Sequence, residues 1–151
     1  MQARRMGAFL VAGLIGAGAA YAHGGATGIV KERMDAMSGI GDNMKSVGGM
    51  LKSGSYDANV AIDAGDAIAG HAGEALTKLF PEGSLEAPSE ASPAIWTDWP
   101  KFQAYADDLQ AAALALKTLA ADGADPKAVA GAFGELAATC KACHEAFRIK
   151  K

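Results

Sequence analysis

The sequence predicts an all-α protein folded as an antiparallel four-helix bundle. Four segments repeat apolar residues every three or four positions, and Asp, Pro and Gly stand where those segments start and stop. No β-branched run of strand length occurs between them, so helices packed on helices are the available architecture.

Ahead of the first helix, Arg4 and Arg5 precede an apolar stretch from Met6 to Ala20, which closes on Ala20-Tyr21-Ala22. This is the pattern of a secretory signal cleaved after Ala22. A retained membrane anchor is the competing reading, but the stretch is rich in glycine, short for a span and ends in small residues. The expected organisation is therefore a leader over 1–22 and one domain over 23–151, with no stable membrane insertion after cleavage.

The first helix is expected from Gly28 to near Gly54, with Val30, Met34, Met37, Ile40, Met44, Val47 and Leu51 along its apolar stripe. A second is expected from Asp57 to Phe80, carrying Val60, Ala64, Ile68, Ala72 and Leu76 and halted by Pro81 and Gly83. Residues 81–95, with Pro81, Gly83, Pro88 and Pro93, read as a loop. The third helix begins around Asp98 to Lys101, uses Pro100 in its first turn and ends at Gly123. Asp125 then caps the fourth, Pro126 opens it, and it runs past Cys140 and Cys143 to Phe147.

The formal charge of −3 becomes −5 once the leader, with two arginines and no acid, is removed. Such an acidic domain is not suited to gripping nucleic acid or anionic lipid. The scattered acids Asp98, Asp107, Asp108 and Glu135 give no paired-carboxylate geometry, and no catalytic residue is assigned.

Chemistry is concentrated in Cys140-Lys141-Ala142-Cys143-His144, a C-x-x-C-H pattern associated with c-type haem attachment. Thiols three residues apart lie on one helix face, where both can form thioethers with a porphyrin edge while the next residue offers imidazole to the iron. Three other readings compete. A thioredoxin-like pair would sit at a helix N-terminus after a strand, whereas helix precedes this motif. A zinc site would need further ligands, and only His23 and His71 remain, without metal-site spacing. A simple disulfide leaves the adjacent histidine unexplained.

The motif is followed by Glu145-Ala146-Phe147-Arg148. Ahead of it come a basic residue in the first helix, Tyr56-Asp57-Ala58 opening the second, Ile95-Trp96 before the third, and Ala132-Phe133-Gly134 in the fourth. Over essentially the whole mature chain this resembles the class II cytochromes c, the cytochrome c-prime and cytochrome c-556 group. The resemblance implies a left-twisting bundle holding one covalent haem c, with its iron, attached at Cys140 and Cys143 and with His144 as proximal ligand.

The same resemblance points to the residue four after the first-helix arginine as the distal one, here Met37 after Arg33. Methionine at that position resembles the low-spin c-556 type, and a thioether is a soft ligand that raises the reduction potential. Helix-filling methionine is the competing reading, since Met34, Met44 and Met50 share the segment. Arg33 is expected either at a haem propionate, as the family arginine is, or as a solvated charge beside Lys31 and Glu32. Arg148, four residues after His144, is expected on the same helical face, tuning the iron or stabilising the helix end. His71 reads as a surface or packing residue, and Trp96 and Trp99 as covers for the bundle end.

The function so implied is a periplasmic electron carrier that docks transiently with periplasmic or membrane-bound redox proteins. The alternative is a five-coordinate cytochrome c-prime that binds nitric oxide or carbon monoxide. An enzyme ranks last, because no distal histidine and base arrangement is present. An exposed apolar stripe on the first two helices would leave room for a homodimer.

Overall fold

The computed structural model describes residues 25–149. The expected leader and His23 lie outside these residues. The elements are α1 (Gly28–Ser53), α2 (Ala58–His71), α3 (Glu74–Thr77), α4 (Ala94–Thr97), α5 (Trp99–Ala121) and α6 (Pro126–Phe147). The four long helices form the bundle expected from the sequence. Among the described residues no helix is long and apolar enough to cross a membrane.

Local chemistry explains most boundaries. Gly54 takes a left-handed conformation, φ 72°, and its N–H closes the end of α1 on the Leu51 carbonyl. The Asp57 carboxylate accepts from the Asn59 N–H to start α2, and Asp125 accepts from the Lys127 and Ala128 N–H groups to start α6.

Two boundaries differ from expectation. The second helix does not run unbroken to Phe80 but stops at His71, because Ala72 is extended and Gly73 turns to φ 57°. The Gly73 N–H then bonds the Ala106 carbonyl of α5 at 2.9 Å, and Gln110 donates to the Ala69 carbonyl at 3.2 Å. Hydrogen bonds across the bundle thus replace those that a continued helix would have made. The expected loop over 81–95 instead ends in the first residues of α4, a single turn started by Pro93 that buries Ile95.

The core is built chiefly where α2 meets α5 and α5 meets α6, whereas α1 and α6 touch only over a short stretch. Gly65 makes the α2–α5 approach close, since a Cβ there would lie 2.7 Å from the Ala113 carbonyl oxygen. At the end of the bundle where α5 begins, Phe102 packs edge-on against Phe80 and Phe147, with centroids 4.8 and 5.4 Å away. Trp99 lies against Phe102, and Trp96 donates from its indole to the Phe80 carbonyl, so both tryptophans cover this end as expected. The apolar side chains of α1 and α2 are buried or half-buried. Among the described residues the large apolar side chains left exposed are Leu114 and Leu119 on α5, and Ile149. Val30, Ile40, Val47, Ala64 and Ile68 are buried, while Met37, Met44, Leu51 and Val60 pack against the core half-buried.

Candidate functional site

The Cys-x-x-Cys-His motif occupies the last two turns of α6. Both thiols are free and half-buried, and both pack against the apolar core. Burial pushes the Cys140 thiol above its ordinary pKa, and pushes Cys143 up to about 11. Both are therefore neutral thiols at neutral pH. A thioredoxin-like pair requires the opposite shift and a helix N-terminus. Among the described residues no three His, Cys, Asp or Glu side chains group to hold a metal ion.

The His144 side chain is exposed to solvent. Desolvation by the surrounding protein, followed by the charge of Arg148, draws its pKa below the ordinary 6.5. The imidazole is thus neutral at neutral pH, the form whose ring nitrogen can bind iron.

Met37 is half-buried and packed against the core, as is Met44. Its relation to His144 follows from helical register. A Cβ added to Gly48 would meet the Phe133 ring at 3.5 Å, so these positions of α1 and α6 face each other. Met37 lies eleven residues before Gly48, and His144 eleven residues after Phe133. Eleven residues make about three turns, or about 16 Å of rise, and return each chain to nearly the same face. Because the helices are antiparallel, both steps lead toward the same end of the bundle. On this register Met37 and His144 fall at a similar level of α1 and α6, with Met37 half-buried and His144 exposed.

Arg33 is not the solvated charge that was one of its two expected readings, since it is only 4% exposed. Its Nε–H and one Nη2–H bond the Leu79 carbonyl at 3.1 and 2.8 Å. The other Nη2–H bonds Ser84 Oγ at 2.7 Å, while the two Nη1 hydrogens reach the Ser84 carbonyl at 3.0 Å and Ser89 Oγ at 3.1 Å. The guanidinium also lies over the Phe80 ring, 4.0 Å from its centroid. All five donors are engaged within the chain, so holding a propionate would require breaking one of these bonds. No pattern in the sequence marked Leu79, Ser84 and Ser89 as its partners.

Arg148 lies one turn after His144, its N–H bonding the His144 carbonyl at 3.1 Å, and its charge acts on the imidazole as expected, although its own backbone is no longer helical. It is the C-cap residue of α6. Its guanidinium pairs with the Glu90 carboxylate. His71 is exposed at the end of α2 against Gly39 of α1, as a surface residue would be. A groove of about 390 Å³ lined by Phe80, Trp96 and Trp99 includes neither Met37 nor any residue of the motif.

Two neutral thiols on one face of a helix, an adjacent neutral imidazole, and a facing helix held apart over an apolar interior fit a flat, covalently attached macrocycle. A helical bundle with this donor set defines a c-type haem protein. The family described as Cytochrome C′ matches residues 28–148, and the chain belongs to it. Proteins of this family hold one covalent haem c with its iron, and so does this chain.

The chain is similar to cytochrome c-556 of Agrobacterium tumefaciens, 38% identical over 125 residues, covering 82% of this chain and 99% of that one. Among solved structures it resembles cytochrome c′ from Rhodopseudomonas palustris, with TM-score 0.75 and 30% identity, covering 83% and 99% of the two chains. It also resembles a nitric oxide complex of a mutant cytochrome c prime from Alcaligenes xylosoxidans, with TM-score 0.70 and 27% identity, covering 81% and 94%.

Proposed function

We propose that this chain is an exported electron carrier of the c-556 type, whose haem iron is low-spin and held between His144 and Met37. The register of α1 on α6, on which Met37 and His144 fall at a similar level, supports this reading. The haem supplies a one-electron couple when bound. Cys140 and Cys143 hold its edge through two thioethers, which fixes the macrocycle against α6. His144 contributes a neutral ring nitrogen, and its lowered pKa keeps that nitrogen unprotonated at neutral pH. Met37 contributes a thioether sulfur that favours the ferrous state and closes the distal side to small gases. No residue is required to act as acid, base or nucleophile, so the role is not enzymatic.

Residues 1–22 are the leader that sends the chain to the periplasm, and 23–151 are the cytochrome domain. Its partners there are periplasmic or membrane-bound redox proteins, docking through small transient interfaces. A second reading is supported by the nitric oxide complex of the Alcaligenes xylosoxidans relative. In that case Met37 is packing, and the iron is five-coordinate and binds nitric oxide or carbon monoxide.

Optical and paramagnetic resonance spectra of the ferric holoprotein separate the two. Low-spin iron that becomes high-spin in Met37→Ala supports the carrier. A high-spin spectrum in the unaltered protein supports the gas-binding reading.

A further inference from the structure

The segment Leu79–Ser92 crosses the end of the bundle where α1 begins and α6 stops, and it is fastened to both. Arg33 of α1 holds its first part through Leu79, Ser84 and Ser89, with Phe80 beneath the guanidinium. The C-terminal end of α6 holds its last part. The Ser92 N–H donates to the Phe147 carbonyl at 2.8 Å, the Ile149 N–H donates to the Glu90 carbonyl at 2.8 Å, and Ala91 bridges Arg148 in antiparallel fashion. These two hydrogen bonds constitute the bridge, and the ion pair of Arg148 with Glu90 adds a third link. Direct contact between α1 and α6 is confined to a short stretch.

We propose that Leu79–Ser92 is a strap tying the two ligand-bearing helices together, and that Arg33 is a positioning residue that sets, through this strap, where Met37 stands relative to His144. The inference rests on reading Met37 and His144 as the axial pair. Arg33 and Met37 are one helical turn apart, so a slide or rotation of the first turns of α1 carries both. A buried guanidinium with five engaged donors and a ring beneath it resists such movement. Displacing it would strand charged donors and the Leu79 and Ser84 carbonyls out of water. On the other side, the Arg148 N–H returns to the His144 carbonyl at 3.1 Å, so the strap is anchored one turn from the proximal histidine.

The test uses the full-length holoprotein and reads the low-spin fraction of the ferric iron and the rate of carbon monoxide binding to the ferrous iron. In Arg33→Met the low-spin fraction is expected to fall. Carbon monoxide binding should quicken about tenfold, as a distal side open a tenth of the time becomes open most of the time. Arg33→Lys, which keeps the charge but has fewer donors, should fall between Arg33→Met and wild type.

The paired change Ser84→Ala and Ser89→Ala leaves Arg33 in place and removes two strap acceptors. It should shift both readings in the same direction by a smaller amount, and it carries the test if Arg33→Met yields no holoprotein. Leu116→Ala, in the core of α5 far from the strap, should lower the melting temperature and move neither reading. A serine pair variant as fully low-spin as wild type, with unchanged carbon monoxide binding, overturns the strap and leaves Met37 as ligand. High-spin iron in the unaltered protein overturns the axial pair itself, and is seen before any substitution is made.

Discussion

At Cys140 and Cys143 the chemistry demands a fixed spacing, because two thioethers to one macrocycle edge require thiols on the same helix face. Acid-acetone extraction of the holoprotein should therefore leave the haem on the polypeptide, and Cys143→Ala should retain it through a single thioether. Haem released into the organic phase from the unaltered protein would contradict attachment. The same constraint made the motif readable from sequence, since few other uses of cysteine place histidine directly after the second thiol.

Met37 was less readable. Met34, Met44 and Met50 share its helix, and only its position four residues after Arg33, interpreted through a family resemblance, set it apart. Met34→Ala and Met44→Ala are thus the proper controls. At these half-buried sites each should destabilise by no more than about 2 to 5 kcal/mol, the range for fully buried methionine, and leave the spin state unchanged. Arg33 was the least readable. Its partners lie 46 to 56 residues away along the chain, and no local pattern announces a guanidinium that engages two carbonyls and two hydroxyls. Neighbouring Lys31 and Glu32 suggested a wet surface, whereas the residue itself turns inward.

For the helices, boundaries set by nearby groups were legible and those set by a neighbouring helix were not. Asp57, Asp125 and Gly54 act on their own turns, so composition sufficed to place them. The break after His71 was hidden because Ala72 and Leu76 continue the apolar period, while its cause is the hydrogen bonding of Gly73 and Ala69 to α5. Gly70 and Gly73 were the available signal.

Helix packing also makes Gly65 a sensitive position. Alanine there gains about 1 kcal/mol of helix propensity, but its Cβ would be 2.7 Å from the Ala113 carbonyl oxygen and 3.0 Å from the Lys117 nitrogen. Those are backbone atoms of a long helix and cannot swing aside. Gly65→Ala is therefore expected to lose about 1 to 3 kcal/mol net, measured by urea unfolding. Gly70→Ala, on the same helix with no atom within 4 Å of the added Cβ, should be neutral or stabilising by up to about 1 kcal/mol. Equal stability of the two variants would show that α2 and α5 do not approach this closely.

At the level of the whole molecule, the bundle is closed on one side by α2 and α5 and left with little direct contact between α1 and α6. A macrocycle seated there would supply packing that side chains do not, so folding and attachment should be coupled. The paired change Cys140→Ala and Cys143→Ala, produced without haem, is expected to melt broadly and non-cooperatively by circular dichroism. A sharp, native-like transition would mean that the side chains alone complete the core.

The fold class was readable because four amphipathic segments have few other ways to bury their stripes. The register of α1 on α6 was not, since it depends on the meeting of Gly48 and Phe133, which no periodicity reveals. The proposal that this register makes Met37 and His144 the two iron ligands is tested most directly by X-ray absorption at the iron edge of the ferric holoprotein. One sulfur scatterer beside five nitrogens, replaced by nitrogen or oxygen alone in Met37→Ala, is the expected result. A wild-type iron with no sulfur neighbour, or a sulfur that persists in Met37→Ala, would contradict it.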